Sequence, residues 1–116
     1  YFSNYGSKNV DVFAPGYQIY SSVPDDSKLE RKGKFKYLNG TSMAAPNVAG
    51  VAAVLRSFYP KIPAKDIKNI IIKSGVKMFE SIEISGKENK INSSNLSVSG
   101  SVVNLYNALI MASSYK

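Results

Sequence analysis

Cysteine and histidine are both absent from the 116 residues. Without cysteine there is no disulfide framework, no zinc–thiolate site and no cysteine nucleophile. Without histidine the commonest general base and the commonest metal ligand are gone together. Any chemistry this chain performs by itself proceeds without imidazole. Arginine is scarce, two residues against thirteen lysines. Acidic residues are few as well, eight against fifteen basic, which leaves a formal net charge of +7. A basic balance can signal nucleic acid or an anionic surface. Here the lysines from Lys61 to Lys90 are scattered like a solvated surface, and only Lys32, Lys34 and Lys36 alternate, behind Arg31. The shortage of arginine also counts against bidentate phosphate and base contacts. No nucleic-acid partner is expected. No apolar run approaches the roughly 20 residues of a helical membrane span, so no such span is expected either. Residues 1–20 lack a basic start followed by an apolar core, the pattern of a secretory signal. The opening Tyr-Phe-Ser-Asn-Tyr-Gly reads as the interior of a fold and predicts a fragment of a longer domain.

What is present is globular in composition, 44% hydrophobic and 20% charged, and amounts to one domain at most. Val10 to Ala14 is a short β-prone run stopped by the turn signal Pro15-Gly16, and Gln18 to Val23 is a second, stopped at Pro24. Residues 25–34 read as an exposed charged loop, and Phe35 to Leu38 as the arm of a hairpin. Pro63 to Ser74 predicts a helix with Ile67, Ile70 and Ile71 as its apolar stripe, Asp66 in its first turn and Gly75 as its C-cap. Residues 80–100 alternate weakly around Gly86 and read as a hairpin or irregular excursion. Asn104 is placed to cap a last helix, about 104–114, with Leu105, Ala108, Leu109 and Ala112 on one face.

The segment from Ser42 to Tyr59 predicts a helix of another kind. Thr41 or Ser42 is placed to cap it, Pro46 requires a position in its first turn, and Pro60 stops it. Between Met43 and Leu55 the only polar side chain is Asn47. A helix apolar all round is expected to be buried on every side. A chain of this length with two further helices can hardly enclose it, so the sequence lacks part of the core it needs.

Ser42 at the first turn of such a helix suits a nucleophile. Backbone N–H groups at a helix start have no intrahelical partner and can donate to a developing oxyanion. Gly40 lets the backbone turn tightly and a substrate approach. The plain alternative is that Ser42 is a helix cap and nothing more.

The residues around it decide between these. Gly40-Thr41-Ser42-Met43-Ala44-Ala45-Pro46, continuing Asn47-Val48-Ala49-Gly50, closely resembles the active-site serine motif of the subtilisin-like serine proteases, the subtilases. Phe2 to Gly6 and Val10 to Gly16 look like the family's preceding strand and turn, Pro60 to Ser74 like its next helix, and Gly100 to Ala112 like its closing turn and helix. The gap is residues 78–98, a variable excursion. The resemblance implies an α/β fold: residues 1–116 would be the C-terminal portion of a three-layer α/β/α domain with a mostly parallel sheet. It implies a serine endopeptidase acting on polypeptide, with Ser42 as nucleophile. The Ser42 N–H would form half of the oxyanion hole, with Thr41 in support. Leu38 and Asn39 would lie along the leaving-group side of the groove. The family's Asp, His and oxyanion Asn precede the serine and match nothing here, so the remainder of the peptidase domain is an implied partner. Most subtilases have His where this chain has Asn47, and that His is not catalytic. Asp11 matches a position near a weak cation site in some members, although an Asp at a strand end is more often a turn former. No cofactor is implied beyond structural calcium in the complete enzyme. A secreted, periplasmic or cell-envelope location in a bacterium is implied by the family. Alternatives are a non-catalytic assembly or peptide-binding module derived from a subtilase, and a Ser–Lys dyad using Lys36.

Overall fold

A computed structural model describes residues 3–24, 35–83 and 90–115. The charged stretch 25–34 and the centre of the later excursion, 84–89, lie outside the described residues, so the expected loop falls there too. The order is β1 (Ile19–Ser22), β2 (Phe35–Leu38), α1 (Thr41–Phe58), α2 (Ala64–Ser74), β3 (Val76–Lys77), β4 (Ser81–Ile82), β5 (Ile91–Asn92), a 3₁₀ turn (Ser93–Asn95), β6 (Ser101–Val102) and α3 (Leu105–Ser113).

The α/β class is present; a mostly parallel sheet is not, among the described residues. The strands pair antiparallel as β1–β2, β3–β6 and β4–β5. A parallel sheet needs neighbouring strands joined by crossovers. Here the one parallel element is the bridge between Phe13 and Val102. Phe13 N–H donates to Ser101 O (2.9 Å) and Val103 N–H to Phe13 O (2.8 Å), while Val98 N–H and Ser99 N–H donate to Val10 O and Asp11 O. Residues 10–13 therefore lie along 98–103, although only Phe13 acquires strand geometry. The β1–β2 hairpin and the β4–β5 pair match the expected hairpin readings. Across the first, Tyr20 faces Tyr37 and stacks on Phe35, with centroids 4.8 and 5.6 Å apart.

The core lies where the three helices meet: Val51 and Leu55 of α1, Ile62, then Ile67, Ile70 and Ile71 of α2, and Ala108 and Ala112 of α3. The isoleucine spacing places all three on one face of α2, as a 3.6-residue period requires. In α3, Ala108 and Ala112 are buried and Leu109 is partly so, but Leu105 is exposed. Asn104 caps α3 as expected, its Oδ1 accepting from Asn107 N–H at 2.9 Å.

Three expectations are corrected. Neither Thr41 nor Ser42 supplies a side-chain cap; the N-cap is Gly40. Pro46 is the sixth residue of α1, in its second turn, where its ring removes the donor that Ser42 O would otherwise meet. Gly75 is the C-cap of α2 as expected, in extended backbone (φ −60°), and a Cβ there would come within 2.9 Å of the Ser101 Cβ. The burial of α1 is also narrower than its composition predicts. Val51 and Leu55 are buried, while Ala45, Ala49, Gly50 and Ala53 are exposed. The elements described here cover one face only.

Candidate active site

Ser42 is the second residue of α1 and is exposed. The turn that delivers it is short and tightly held. Gly40 has φ +146°, a value that L side chains rarely adopt. Its N–H donates to Gly16 O at 2.8 Å, and Met43 N–H donates back to Gly40 O at 3.0 Å. Gly16 is as constrained as Gly40: a Cβ on it would sit 2.7 Å from Gly40 O and 3.3 Å from the Ala44 Cβ. The Pro15-Gly16 turn and the Gly40 turn thus pack backbone against backbone; the missing side chain at Gly16 permits the approach, and glycine at 40 permits the unusual φ.

Side chains fasten the same turn. Asn39 Oδ1 accepts from Gln18 N–H at 2.6 Å, just past the Pro-Gly turn, where Gln18 has φ +51°. Thr41 Oγ1 accepts from Asn4 N–H at 3.1 Å, so its hydroxyl ties down the N-terminal segment instead of capping the helix. Asn47 Nδ2 donates to Pro15 O at 3.0 Å and to Met43 O at 3.1 Å. A cavity of about 260 Å³ lies behind the turn, lined among others by Asn4, Phe13, Gly16, Gly40 and Thr41.

The structure therefore gathers Asn39, Gly40, Thr41 and Ser42 at the start of α1, with Leu38 entering from the end of β2. The open end of a helix points its first N–H groups outward and carries partial positive charge, an arrangement that receives a developing anion. Lys36, the base of the dyad alternative, stands on β2 opposite Ser21. Asp11 lies away from this turn. Its carboxylate is 2.9 Å from the Lys68 Nζ, and no group of three or more His, Cys, Asp or Glu side chains suited to a metal occurs among the described residues. The Lys68 ammonium accounts for the Asp11 carboxylate as a surface ion pair. Asn4, Gly16 and Gln18 were not singled out from sequence as site residues. Only the Pro15-Gly16 turn signal hints at one of them, because their contacts to the turn span 21 or more positions.

The profile of the subtilase family matches residues 1–100. Subtilisin-like protease 2 of Plasmodium falciparum is 38% identical over 108 residues, covering 88% of this chain and 7% of that protein. Subtilisin DY of Bacillus licheniformis is 36% identical over 80 residues, 69% of this chain and 26% of that protein. The cell wall-associated protease of Bacillus subtilis is 37% identical over 83 residues, 71% of this chain and 8% of that protein. The chain thus spans about a quarter or less of the length of these curated relatives.

Proposed function

The chain belongs to the subtilase family, and on that premise we propose that it carries the nucleophile of a serine endopeptidase that cleaves polypeptides. The observation behind this reading is the placement of Ser42: exposed, at the open end of α1, on a helix start that four hydrogen bonds to residues 4, 15, 16 and 18 tie down. Ser42 Oγ attacks the scissile carbonyl carbon, and its proton passes to an imidazole from the remainder of the peptidase domain. The carbonyl oxygen becomes an oxyanion and receives the Ser42 N–H, with Thr41 alongside. Leu38 and Asn39 flank the leaving-group side. The carbonyl re-forms as the amine departs with the proton that the imidazole took, and water, giving a proton to the same imidazole, later releases the acyl group and restores the Ser42 hydroxyl.

Residues 1–116 are read as the C-terminal part of one catalytic domain, with 78–98 as its variable excursion. No cofactor enters this chemistry, and any structural calcium is assigned to the remainder of the domain. A secreted or cell-envelope location fits the family; the matched relatives come from a parasite as well as from bacteria, so no bacterial source is assigned.

The test is fluorophosphonate labelling of the full-length protein that carries this chain. Ser42 is expected to label, and Ser42→Ala to lose both labelling and peptide hydrolysis. Undiminished hydrolysis by Ser42→Ala would refute the assignment. A correctly folded protein that binds peptide, does not label and does not hydrolyse would favour the non-catalytic module.

A further inference from the structure

α1 carries one polar side chain between Met43 and Leu55, and both protons of its amide nitrogen are engaged. Asn47 Nδ2 has two protons, and each finds a main-chain carbonyl: Met43 O at 3.1 Å and Pro15 O at 3.0 Å. The reverse amide orientation would set Oδ1 against two carbonyl oxygens, so these partners fix which way the group points. One of them belongs to the turn of helix that bears Ser42. The other belongs to a segment 32 residues away in sequence.

The location of this bridge matters because Pro46 weakens the helix there. The proline offers no N–H to Ser42 O, so the turn carrying the serine lacks one rung of its own ladder. The Pro15-Gly16 turn compensates from outside. It holds the chain before Ser42 through Gly16 O and Gly40 N–H, at 2.8 Å, and the chain after it through Pro15 O and Asn47. The serine sits between two anchors on one small turn.

We propose that Asn47 is a positioning residue for Ser42, its amide clamping the first turns of α1 to the Pro15-Gly16 turn so that the nucleophile holds its place relative to the scissile carbonyl. The inference rests on Ser42 being the nucleophile. Attack requires reacting atoms held in near-contact geometry, and a displacement of about 1 Å costs on the order of 10²-fold in rate. Loss of one of the two anchors permits a smaller displacement. The expected effect is therefore a fall of about tenfold in kcat with KM changed less than about twofold, since the clamp touches no substrate.

The experiment uses the full-length protein with three variants: Asn47→Asp, which keeps the size but replaces the donor by an acceptor facing two carbonyls, Asn47→Leu, which removes hydrogen bonding, and Ser42→Ala. For each, kcat, KM, the fluorophosphonate labelling rate per folded molecule and the thermal midpoint are measured. Support requires that kcat and labelling rate fall together in Asn47→Asp while KM holds and the protein remains folded at the assay temperature. If Asn47→Leu does not fold, Asn47→Asp decides. Folded Asn47 variants with parental kcat and labelling rate overturn the proposal, and so does failure of both to fold, which would assign Asn47 to holding the fold. Should Ser42→Ala retain hydrolysis, the nucleophile assignment itself fails; should it be inactive while Asn47→Asp labels at the parental rate, only the inference about Asn47 falls.

Discussion

Gly16 meets the main chain of Gly40 at a distance that no side chain on Gly16 tolerates. Gly16→Ala would bring its Cβ to 2.7 Å from Gly40 O, which is backbone and has little room to yield. The turns must part, the 2.8 Å bond from Gly40 N–H to Gly16 O must lengthen, and Ser42 must move with them. We expect Gly16→Ala in the full-length protein to cost about 1–3 kcal/mol of stability, in the range of overpacked sites. It should lower the labelling rate at Ser42 at temperatures where the protein is still folded. Unchanged denaturant midpoint and labelling would show that the turns can separate freely. Ser42 stands out as a candidate in the sequence because it lies within the seven-residue motif Gly40 to Pro46. Its supports do not. Thr41 reads as a cap by local preference, yet its hydroxyl serves Asn4, 37 positions away, and no local rule sees that contact.

The elements divide in the same way. α2 and α3 follow from periodicity and capping because each buries one stripe and exposes the rest, which is what such patterns encode. α1 defeats the pattern. Its composition shows that every side is apolar or small, but not which side meets this chain's own helices; Leu55 is wholly buried and Ala53, two residues away, is exposed. Beyond α3, Tyr115 Oη donates to Asp66 Oδ2 at 2.6 Å, linking the segment after α3 to the first turn of α2. That hydrogen bond, with burial and the Asp66 charge adding to it, raises the tyrosine pKa above its ordinary 10.0. A raised folded-state pKa means that the contribution to stability is complete below about pH 10 and is lost as pH climbs through the folded value. The phenolate then faces a carboxylate with no proton to share. Full-length protein should therefore lose part of its thermal stability in the alkaline limb. Tyr115→Phe should lack that component while matching the parent's slope at neutral pH. Parallel pH–stability curves for the two proteins above pH 10 would count against the link.

For the whole molecule, the radius of gyration is 16.7 Å, against about 13 Å for a compact globule of this length. The helices share a core, while β1, β2 and the exposed face of α1 spread beyond it. The exposed side of α1 fits an apolar helix that the described elements flank on one face. The arrangement of the sheet was not legible in the sequence, since a strand's partners cannot be read from the strand. Ser42 has no imidazole within this sequence to take its proton. In subtilisin itself, a measured case from this family, removing the triad costs about 10⁶ in turnover. The 116 residues expressed alone should hydrolyse no peptide detectably and should not label with a fluorophosphonate at Ser42. Labelling of the isolated chain would mean that a lysine within it activates the serine, and the mechanism would be a dyad.

The joint burial of Leu55 with Ala108 and Ala112 also sets a clock. A chain is made from its N-terminus, at about 5–20 residues per second. When α1 has emerged, every partner that tethers the serine turn already exists, since they all lie between residues 4 and 47. What does not yet exist is the floor of α1. Ala108 and Ala112 arrive some 50 residues later, a delay on the order of seconds. Ile67, Ile70 and Ile71 of α2 follow sooner, so through that interval the serine turn is fully specified and its helix rests on α2, with the part of its floor that α3 supplies still to come.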